Sequence, residues 1–237
     1  MTDLATRTLV TSGRETRSLG AGERGARSRM LRLPLYLLLI VASVVSIIPF
    51  LWMVIASTHP SSELFGTPLP VLPGDALWEN LARLEESIGF SRVMLNSLLI
   101  AVIYTVFSSI VSIMCGYGLA TYRFRGRGVL LALVLVTMMI PMQVLLVPLF
   151  QIMAGMGWID TYQAVILPFL ANAFGIFLMR QGFLDFPPSL IEAARIDGAS
   201  ELRTFYRIVL PVAKPQIAAL VIYTFISQWN AFIWPLL

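Results

Sequence analysis

Long stretches without a charged side chain constrain this chain more than any other feature. The first runs from Pro34 to Ala56, 23 residues with no Asp, Glu, Lys or Arg. A helix needs about 20 such residues to cross the hydrocarbon core of a bilayer. Similar runs predict further spans over about 93–120, 129–153, 162–179 and 216–237. The chain is therefore predicted to be an all-α integral membrane protein, a polytopic helical bundle with five visible spans.

Composition excludes the main alternatives to a membrane protein. Of the 237 residues, 57% are hydrophobic and only 13% are charged, whereas a soluble domain carries about 25% charged residues. A single cysteine excludes a disulfide scaffold. A cleaved signal peptide is the alternative for the first run, but the apolar core of such a signal has about 7–15 residues. We therefore interpret this run as a span.

The distribution of basic residues predicts the orientation. Seven of the 17 lie in residues 1–33, three lie between the second and third spans, and five lie between the fourth and fifth; Arg83 and Arg92 are the remaining two. Because cytoplasmic segments carry the excess of Lys and Arg, the N-terminus is predicted to be cytoplasmic, with 15 bases inside and two outside. Residues 1–33 are then a basic cytoplasmic tail, expected to be disordered. Bases that flank apolar runs indicate membrane topology and not a nucleic-acid surface.

The spans carry no residues suited to catalysis. Their centres lack Asp, Glu, Lys and Arg, which proton-coupled and ion-coupled carriers use to relay charge. His59 is the only histidine and lies beyond the first span, so neither a histidine metal cluster nor a Ser-His triad is predicted. The chain is therefore predicted not to be an enzyme and to bind no metal.

Small residues and prolines predict how the spans pack. The stripe Ser108, Ser112, Gly116 and Ala120 recurs every four residues of the second span and predicts close approach of a neighbouring helix. Cys115, beside this stripe, is interpreted as a small core residue. Three prolines are expected to break helices, because each removes a backbone hydrogen bond; they are Pro141 and Pro148 in the third span and Pro168 in the fourth.

The loop between the fourth and fifth spans, residues 181–215, carries the strongest functional pattern. Ser189 and Glu192 have the spacing of a capping box, which predicts a short helix over residues 189–196. Gly198 is expected to end that helix in a left-handed conformation. Together these features predict a compact, rigid helical unit on the cytoplasmic side.

A second short helix is predicted after the glycine. Ser200 is expected to cap a helix over residues 201–209, which Pro211 would close. Ala193 and Ala194 have small side chains, so the first helix could seat deeply in a groove of a partner.

The same residues resemble the EAA loop of ABC importer permeases. The resemblance lies in Glu192-Ala193-Ala194, then Gly198, then Ile208-x-Leu210-Pro211. In that family the short helix is a coupling helix that docks on an ATP-hydrolysing subunit. The resemblance implies the docking residues Glu192, Ala193, Ala194, Asp197, Gly198, Ala199, Leu210 and Pro211.

Other segments resemble the maltose-type carbohydrate branch of these permeases. They are Asn96-Ser97-Leu98, Tyr117-Gly118-Leu119-Ala120, Asp197-Gly198-Ala199-Ser200 and Trp229-Asn230-x-Phe232-x-Trp234-Pro235-Leu236. This likeness implies uptake of a sugar or polyol. Aromatic and amide side chains suit such a ligand, so the substrate path is expected at Asn172, Gln228, Trp229 and Asn230. Peptide or amino-acid import remains an alternative, as does a stand-alone channel or secondary carrier.

The resemblance also implies the partners and the location. They are a second permease subunit, cytoplasmic ATP-binding subunits, an extracytoplasmic solute-binding protein and membrane lipid, with no nucleic acid. ATP and Mg would bind to the ATPase partner, and this chain would hold no cofactor. The location is a bacterial-type inner membrane. Because permeases of this type usually have six spans, the natural product is expected to continue past Leu237 for one outer loop and one more span.

Overall fold

The structure, a computed structural model, describes residues 34–64, 66 and 69–237. The predicted basic tail lies outside the described residues. All the regular structure in the described part is helical, which confirms the predicted class. The chain divides into two compact units that meet at the bond between Gly89 and Phe90, and each unit is described by itself.

The first unit contains helices α1 (Pro34–Ser57), α2 (Ser61–Leu64) and α3 (Leu77–Ile88). Hydrogen bonds fix the segment that follows α1: the amide of Gly74 donates to Oγ1 of Thr58 at 2.8 Å, and Nδ2 of Asn80 donates to the carbonyl of His59 at 2.9 Å. A hydrogen bond to the carbonyl of Leu72 raises the pKa of the His59 imidazole, and the Glu63 carboxylate adds to the shift.

The second unit contains the remaining helices and the loop of interest. Before that loop come α4 (Phe90–Thr121), α5 (Arg127–Met139), α6 (Met142–Gly155), α7 (Tyr162–Ile166) with a 3-10 turn (Leu167–Phe169), and α8 (Ala173–Leu184). Within and after it come α9 (Pro188–Ile196), α10 (Glu201–Thr204), a π-helical segment (Phe205–Val209), α11 (Leu210–Val212) and α12 (Lys214–Trp229).

Helices α4 and α8 pack closely because each has a glycine at the contact, Gly116 on α4 and Gly175 on α8. A methyl group on Gly116 would lie 2.7 Å from Cβ of Met179 and 2.9 Å from the backbone nitrogen of Arg180. On the other side, a methyl group on Gly175 would lie 2.6 Å from Oγ of Ser112. Ser108 and Ser112 are fully buried. The small-residue stripe is therefore confirmed as a helix-packing surface.

Prolines break some of the predicted spans but not all. The chain bends by 101° at the break between α5 and α6, which contains Pro141. It bends by 41° between the 3-10 turn that contains Pro168 and α8. The expected break at Pro148 is wrong, because α6 continues through that residue. The lost backbone hydrogen bond and the clash of the ring cost a helix about 3 kcal/mol or more, which the packing of a long apolar helix can offset.

Two helices, α1 and α4, are long and apolar enough to cross a membrane, and up to five segments qualify if each bent pair is one span. The last helix is shorter than predicted. α12 begins at Lys214 and ends at Trp229, eight residues before the expected end, and Asn230 closes it by donating from Nδ2 to the carbonyl of Ile226 at 2.8 Å.

The interpretation of Cys115 as a core residue is wrong. The side chain is exposed, although its neighbour Gly116 is buried. Adjacent residues of a helix point about 100° apart, so the residue beside the packed stripe faces away from α8. It lines an apolar groove of about 470 Å³ with residues of α5 and α8.

The contact between α4 and α8 predicts different effects for two substitutions on the same helix. Gly116→Ala is expected to lower the free energy of unfolding by about 1–3 kcal/mol, because the methyl group overpacks against backbone atoms of α8. The matched control Gly118→Ala meets no neighbouring atom within 4 Å and should stay within about 1 kcal/mol of the parent. Thermal melting in detergent, followed by size-exclusion chromatography, measures both. Equal melting temperatures would contradict this packing.

Candidate functional site

Helix α9 forms the first part of the loop and begins one residue earlier than predicted. It starts at Pro188, after the extended residue Pro187, and no side chain caps it. The predicted capping box of Ser189 and Glu192 is therefore wrong. A proline in the first turn supplies the helical φ angle in advance and has no amide that needs a partner. Pro188 thus starts the helix and leaves Ser189 inside the first turn.

The end of α9 is as predicted and is geometrically well defined. Gly198 has φ +74°, a left-handed conformation that favours glycine. Its amide donates to the carbonyl of Arg195 at 3.1 Å, and the amide of Ala199 donates to the carbonyl of Ala194 at 2.9 Å. These two bonds form a Schellman motif. The motif fixes the angle at which the chain leaves α9.

The second helix of the loop differs from the prediction beyond its first turn. Ser200 caps α10, as predicted, by accepting from the amide of Arg203 at 3.4 Å. The helix then changes to π geometry, and Pro211 lies at the start of α11 instead of closing α10. A π turn widens the helix, and here it comes directly before the proline. The chain turns by 77° between α11 and α12.

A buried apolar cluster attaches the loop to the long helices. The ring of Tyr117 on α4 lies 4.8 Å from that of Phe205 in the π segment and 5.5 Å from that of Phe183 on α8. Val209 and Ala213 are buried in the same cluster. Because aromatic rings resist displacement in a packed core, the later part of the loop is held firmly against α4 and α8.

The predicted docking residues divide into exposed and buried sets. Exposed residues are Glu192, Ala193, Asp197, Gly198 and Pro211. Ala199 and Leu210 are half-buried. Ala194 is only 4% exposed, so its side chain contacts the rest of this chain. The face of α9 that a partner can reach therefore includes Ala193 and not Ala194.

Three charged or polar residues of this region, Tyr122, Arg195 and Glu201, are not among the predicted site residues. The Glu201 carboxylate accepts from Arg195 of α9 at 2.9 Å and from the hydroxyl of Tyr122 at 3.0 Å. Tyr122 directly follows α4 and is 79 positions from Glu201 in the chain. No local pattern connects Tyr122 to residues so far along the chain. Arg195 and Glu201 lie on either side of the turn between α9 and α10, so helical spacing does not pair them either. Only the tertiary structure brings the three together.

Three of the four predicted substrate-path residues form hydrogen bonds or ring contacts within their own helices or helix caps. Oδ1 of Asn172 accepts from the amide of Gly175 at 2.8 Å, which caps α8, while its Nδ2 donates to Tyr104 at 3.4 Å. Asn230 closes α12, and the ring of Trp229 stacks on Phe225 at 5.8 Å. Gln228 is half-buried. Their role on a substrate path stays a prediction.

A cavity of about 390 Å³ lies elsewhere in the second unit. Its polar and aromatic lining includes Asn96, Asp160, Tyr162 and Trp234, and none of the four predicted path residues lines it. The hydroxyl of Tyr162 donates to Oδ1 of Asn96 at 3.2 Å. Within the described part of the chain, no three His, Cys, Asp or Glu residues cluster in a way that could hold a metal ion.

Comparison with known proteins agrees with this architecture. The family model described as the binding-protein-dependent transport system inner membrane component matches residues 108–237, which include α8 and the whole loop. The chain belongs to this family. The resemblance that the EAA loop indicated is confirmed.

Similar proteins include two named permeases. The sn-glycerol-3-phosphate transport system permease protein UgpE of Yersinia pestis bv. Antiqua (strain Antiqua) is 35% identical over 208 residues, which cover 85% of this chain and 74% of the relative. The arabinooligosaccharides transport system permease protein AraQ of Bacillus subtilis (strain 168) is 38% identical over 210 residues, which cover 87% and 74%.

A solved structure shows the same fold. It is the crystal structure of a bacterial ABC transporter involved in the import of the acidic polysaccharide alginate. One of its chains matches with a TM-score of 0.74 and 27% identity, over 87% of this chain and 73% of that chain. The protein is thus a multi-pass inner-membrane permease of an ABC importer. As the non-catalytic component, it works with ATP-hydrolysing subunits and a binding protein.

The difference in burial predicts that the same substitution has a large effect at Ala194 and a small one at Ala193. Ala194→Glu is expected to destabilise the folded chain by about 3 kcal/mol or more, because an unpaired carboxylate would be buried. Ala193→Glu, at the exposed position beside it, should change stability by about 0.5 kcal/mol or less. Thermal melting in detergent compares the pair. A normal melting temperature for Ala194→Glu would show that this side chain does not pack inside the chain.

Proposed function

We propose that this protein imports a neutral sugar or polyol as one of two permease subunits, with residues 181–215 docking on a cytoplasmic ATPase subunit. The observation that carries the docking proposal is the geometry of α9. This helix exposes Glu192 and Ala193, while its end is fixed by the motif at Gly198. A rigid, exposed helix can transmit a displacement that a flexible connector would absorb.

Two observations support a polyhydroxylated substrate. The names of the two relatives specify glycerol-3-phosphate and arabinooligosaccharides. Both kinds of compound have more than one hydroxyl group. The proposed path residues Asn172, Gln228, Trp229 and Asn230 are neutral. Amides can exchange hydrogen bonds with hydroxyl groups, and an indole presents an apolar face. We infer an uncharged substrate because a phosphate would favour a cationic partner.

The proposed topology places the N-terminus and the EAA loop in the cytoplasm. The 15-to-2 division of basic residues supports it. It puts α9 on the side where ATP is hydrolysed and the segment after α1 on the side of the binding protein. The partner permease, a different chain in this proposal, would complete the translocation path.

Reconstitution tests the proposed function. The permease pair is purified with its ATPase subunits, and the ligand of the binding protein from the same operon is determined by calorimetry against neutral sugars, polyols, sugar phosphates, peptides and amino acids. We expect a neutral sugar or polyol to bind, and to enter proteoliposomes only when ATP and the binding protein are both present. Uptake without ATP would indicate a stand-alone carrier, and a peptide or amino-acid ligand would contradict the substrate class.

Thiol labelling tests the topology. In a Cys115→Ser background, Ser62→Cys and Ser200→Cys each place one thiol at an exposed position. A membrane-impermeant maleimide should label the first in intact cells and the second only after the membrane is opened. Because the two sites lie in different loops, each serves as the control for the other. Labelling of Ser200→Cys from outside would reverse the proposed orientation.

A further inference from the structure

The Glu201 carboxylate joins the short helix of the loop to the end of a long helix. One oxygen, Oε1, accepts a hydrogen bond from Nε of Arg195 at 2.9 Å and forms an ion pair with its guanidinium, whose Nη2 also lies 2.9 Å away. The other, Oε2, accepts from the hydroxyl of Tyr122 at 3.0 Å. Arg195 lies in the last turn of α9, and Tyr122 directly follows α4. One side chain therefore bridges two elements that the chain itself keeps far apart.

This bridge differs from the other attachments of the loop. Among the described residues, the bond between Tyr122 and Glu201 is the one side-chain hydrogen bond that joins α9 or α10 to a part of the chain outside the loop. The apolar cluster holds Phe205 and Val209, which follow α10. On α9, Ala194 is the buried residue among the described side chains. The carboxylate is therefore the polar link between α9 and the end of α4.

The Tyr122 end of the bridge is itself well fixed. Nη1 of Arg127, at the start of α5, donates to the carbonyl of Tyr122 at 3.4 Å. The ring of Tyr122 meets that of Tyr117 edge to face at 5.8 Å. Burial raises the pKa of the Tyr122 phenol to about 12, with the bond to Glu201 acting in the same direction. The phenol therefore stays protonated at cellular pH and remains a donor.

We propose that Glu201 is a positioning residue for energy coupling, which holds α9 at a set angle to α4 so that movement of α9 on the ATPase is passed to α4. This inference rests on the proposed docking of α9. Hydrogen-bond chains between rigid elements are one physical route by which two sites are coupled. The partners that transmit the movement are Arg195 and Tyr122, one on each oxygen of the carboxylate.

The bridge can be removed with little effect on folding. The side chains of Arg195 and Glu201 are 50% and 48% exposed, and pairs with that exposure contribute little to stability. The apolar cluster that holds the rest of the loop does not include either residue. A loss of coupling in variants of the bridge can therefore be separated from a loss of folded protein.

The experiment uses the complete importer in nanodiscs, with its ATPase subunits and with its binding protein carrying the ligand that calorimetry identifies. Tyr122→Phe keeps the ring packing and removes the donor, while Glu201→Ala removes both acceptors. We expect the stimulation of ATPase activity by the loaded binding protein to fall about tenfold in each, with ATPase subunits co-purifying in normal amount. Tyr206→Phe is the matched control, since this exposed hydroxyl forms no hydrogen bond within the described part of the chain.

A charge exchange tests the geometry more directly. Glu201→Arg alone should lose stimulation, because two guanidinium groups would face each other. The double variant Arg195→Glu with Glu201→Arg re-forms the ion pair, and the hydroxyl oxygen of Tyr122 can accept a hydrogen bond from the guanidinium. We expect it to recover at least about half of the parent stimulation. Melting temperatures of the same samples should stay close to that of the parent, because a half-exposed pair contributes little to stability. Recovery of stimulation at an unchanged melting temperature then reports coupling and not folding.

Three results would decide against the inference. Undiminished stimulation in both Tyr122→Phe and Glu201→Ala would show that the bridge transmits nothing. Loss of ATPase subunits from these complexes would assign the carboxylate to docking instead of to the link with α4. Failure of the charge exchange to restore any stimulation would exclude the bridge geometry. If no ATPase associates with the parent permease, the proposed function fails, and that result is visible before any variant is made.

Discussion

The close approach of α4 and α8 is the contact on which the second unit depends. Glycines on both helices remove the side chains that would separate them, so that backbone atoms of α8 lie within about 3 Å of where a side chain on Gly116 would begin. In a membrane, helices associate through such packing because lipid supplies no hydrophobic drive between them. Leu220 brings α12 to the same place, where it lies 3.0 Å from the Cβ position of Gly175.

This packing continues directly into the functional loop. Tyr117 is the next residue after Gly116, and its ring reaches Phe183 at the end of α8 and Phe205 in the loop. One turn further, Tyr122 reaches the Glu201 carboxylate. The contacts change from small-residue packing to aromatic packing and then to hydrogen bonds as α4 leaves the apolar region. The loop is thus an extension of the helix-packing surface and not a separate module.

The family gives the role of the chain, whereas the contacts within the chain explain how α9 is held. The match over residues 108–237 assigns the permease role. It does not explain how a short helix is held at an angle to a long one. That question is answered by residues such as Glu201 and Tyr122, whose significance comes from their contacts in this chain.

The sequence by itself determined the membrane character, the all-helical class, the small-residue stripe, the glycine end of α9 and the serine cap of α10. Each of these follows from composition, spacing or a single residue with a restricted conformation. The start of α9 at Pro188 is also a local effect of the proline, which the predicted capping box missed. Tertiary structure decided where Cys115 faces, that α6 continues through Pro148, that Ala194 is buried, and that Glu201 meets Tyr122. These depend on which surfaces meet in space, because burial and long-range hydrogen bonds are set by neighbours that no local spacing encodes.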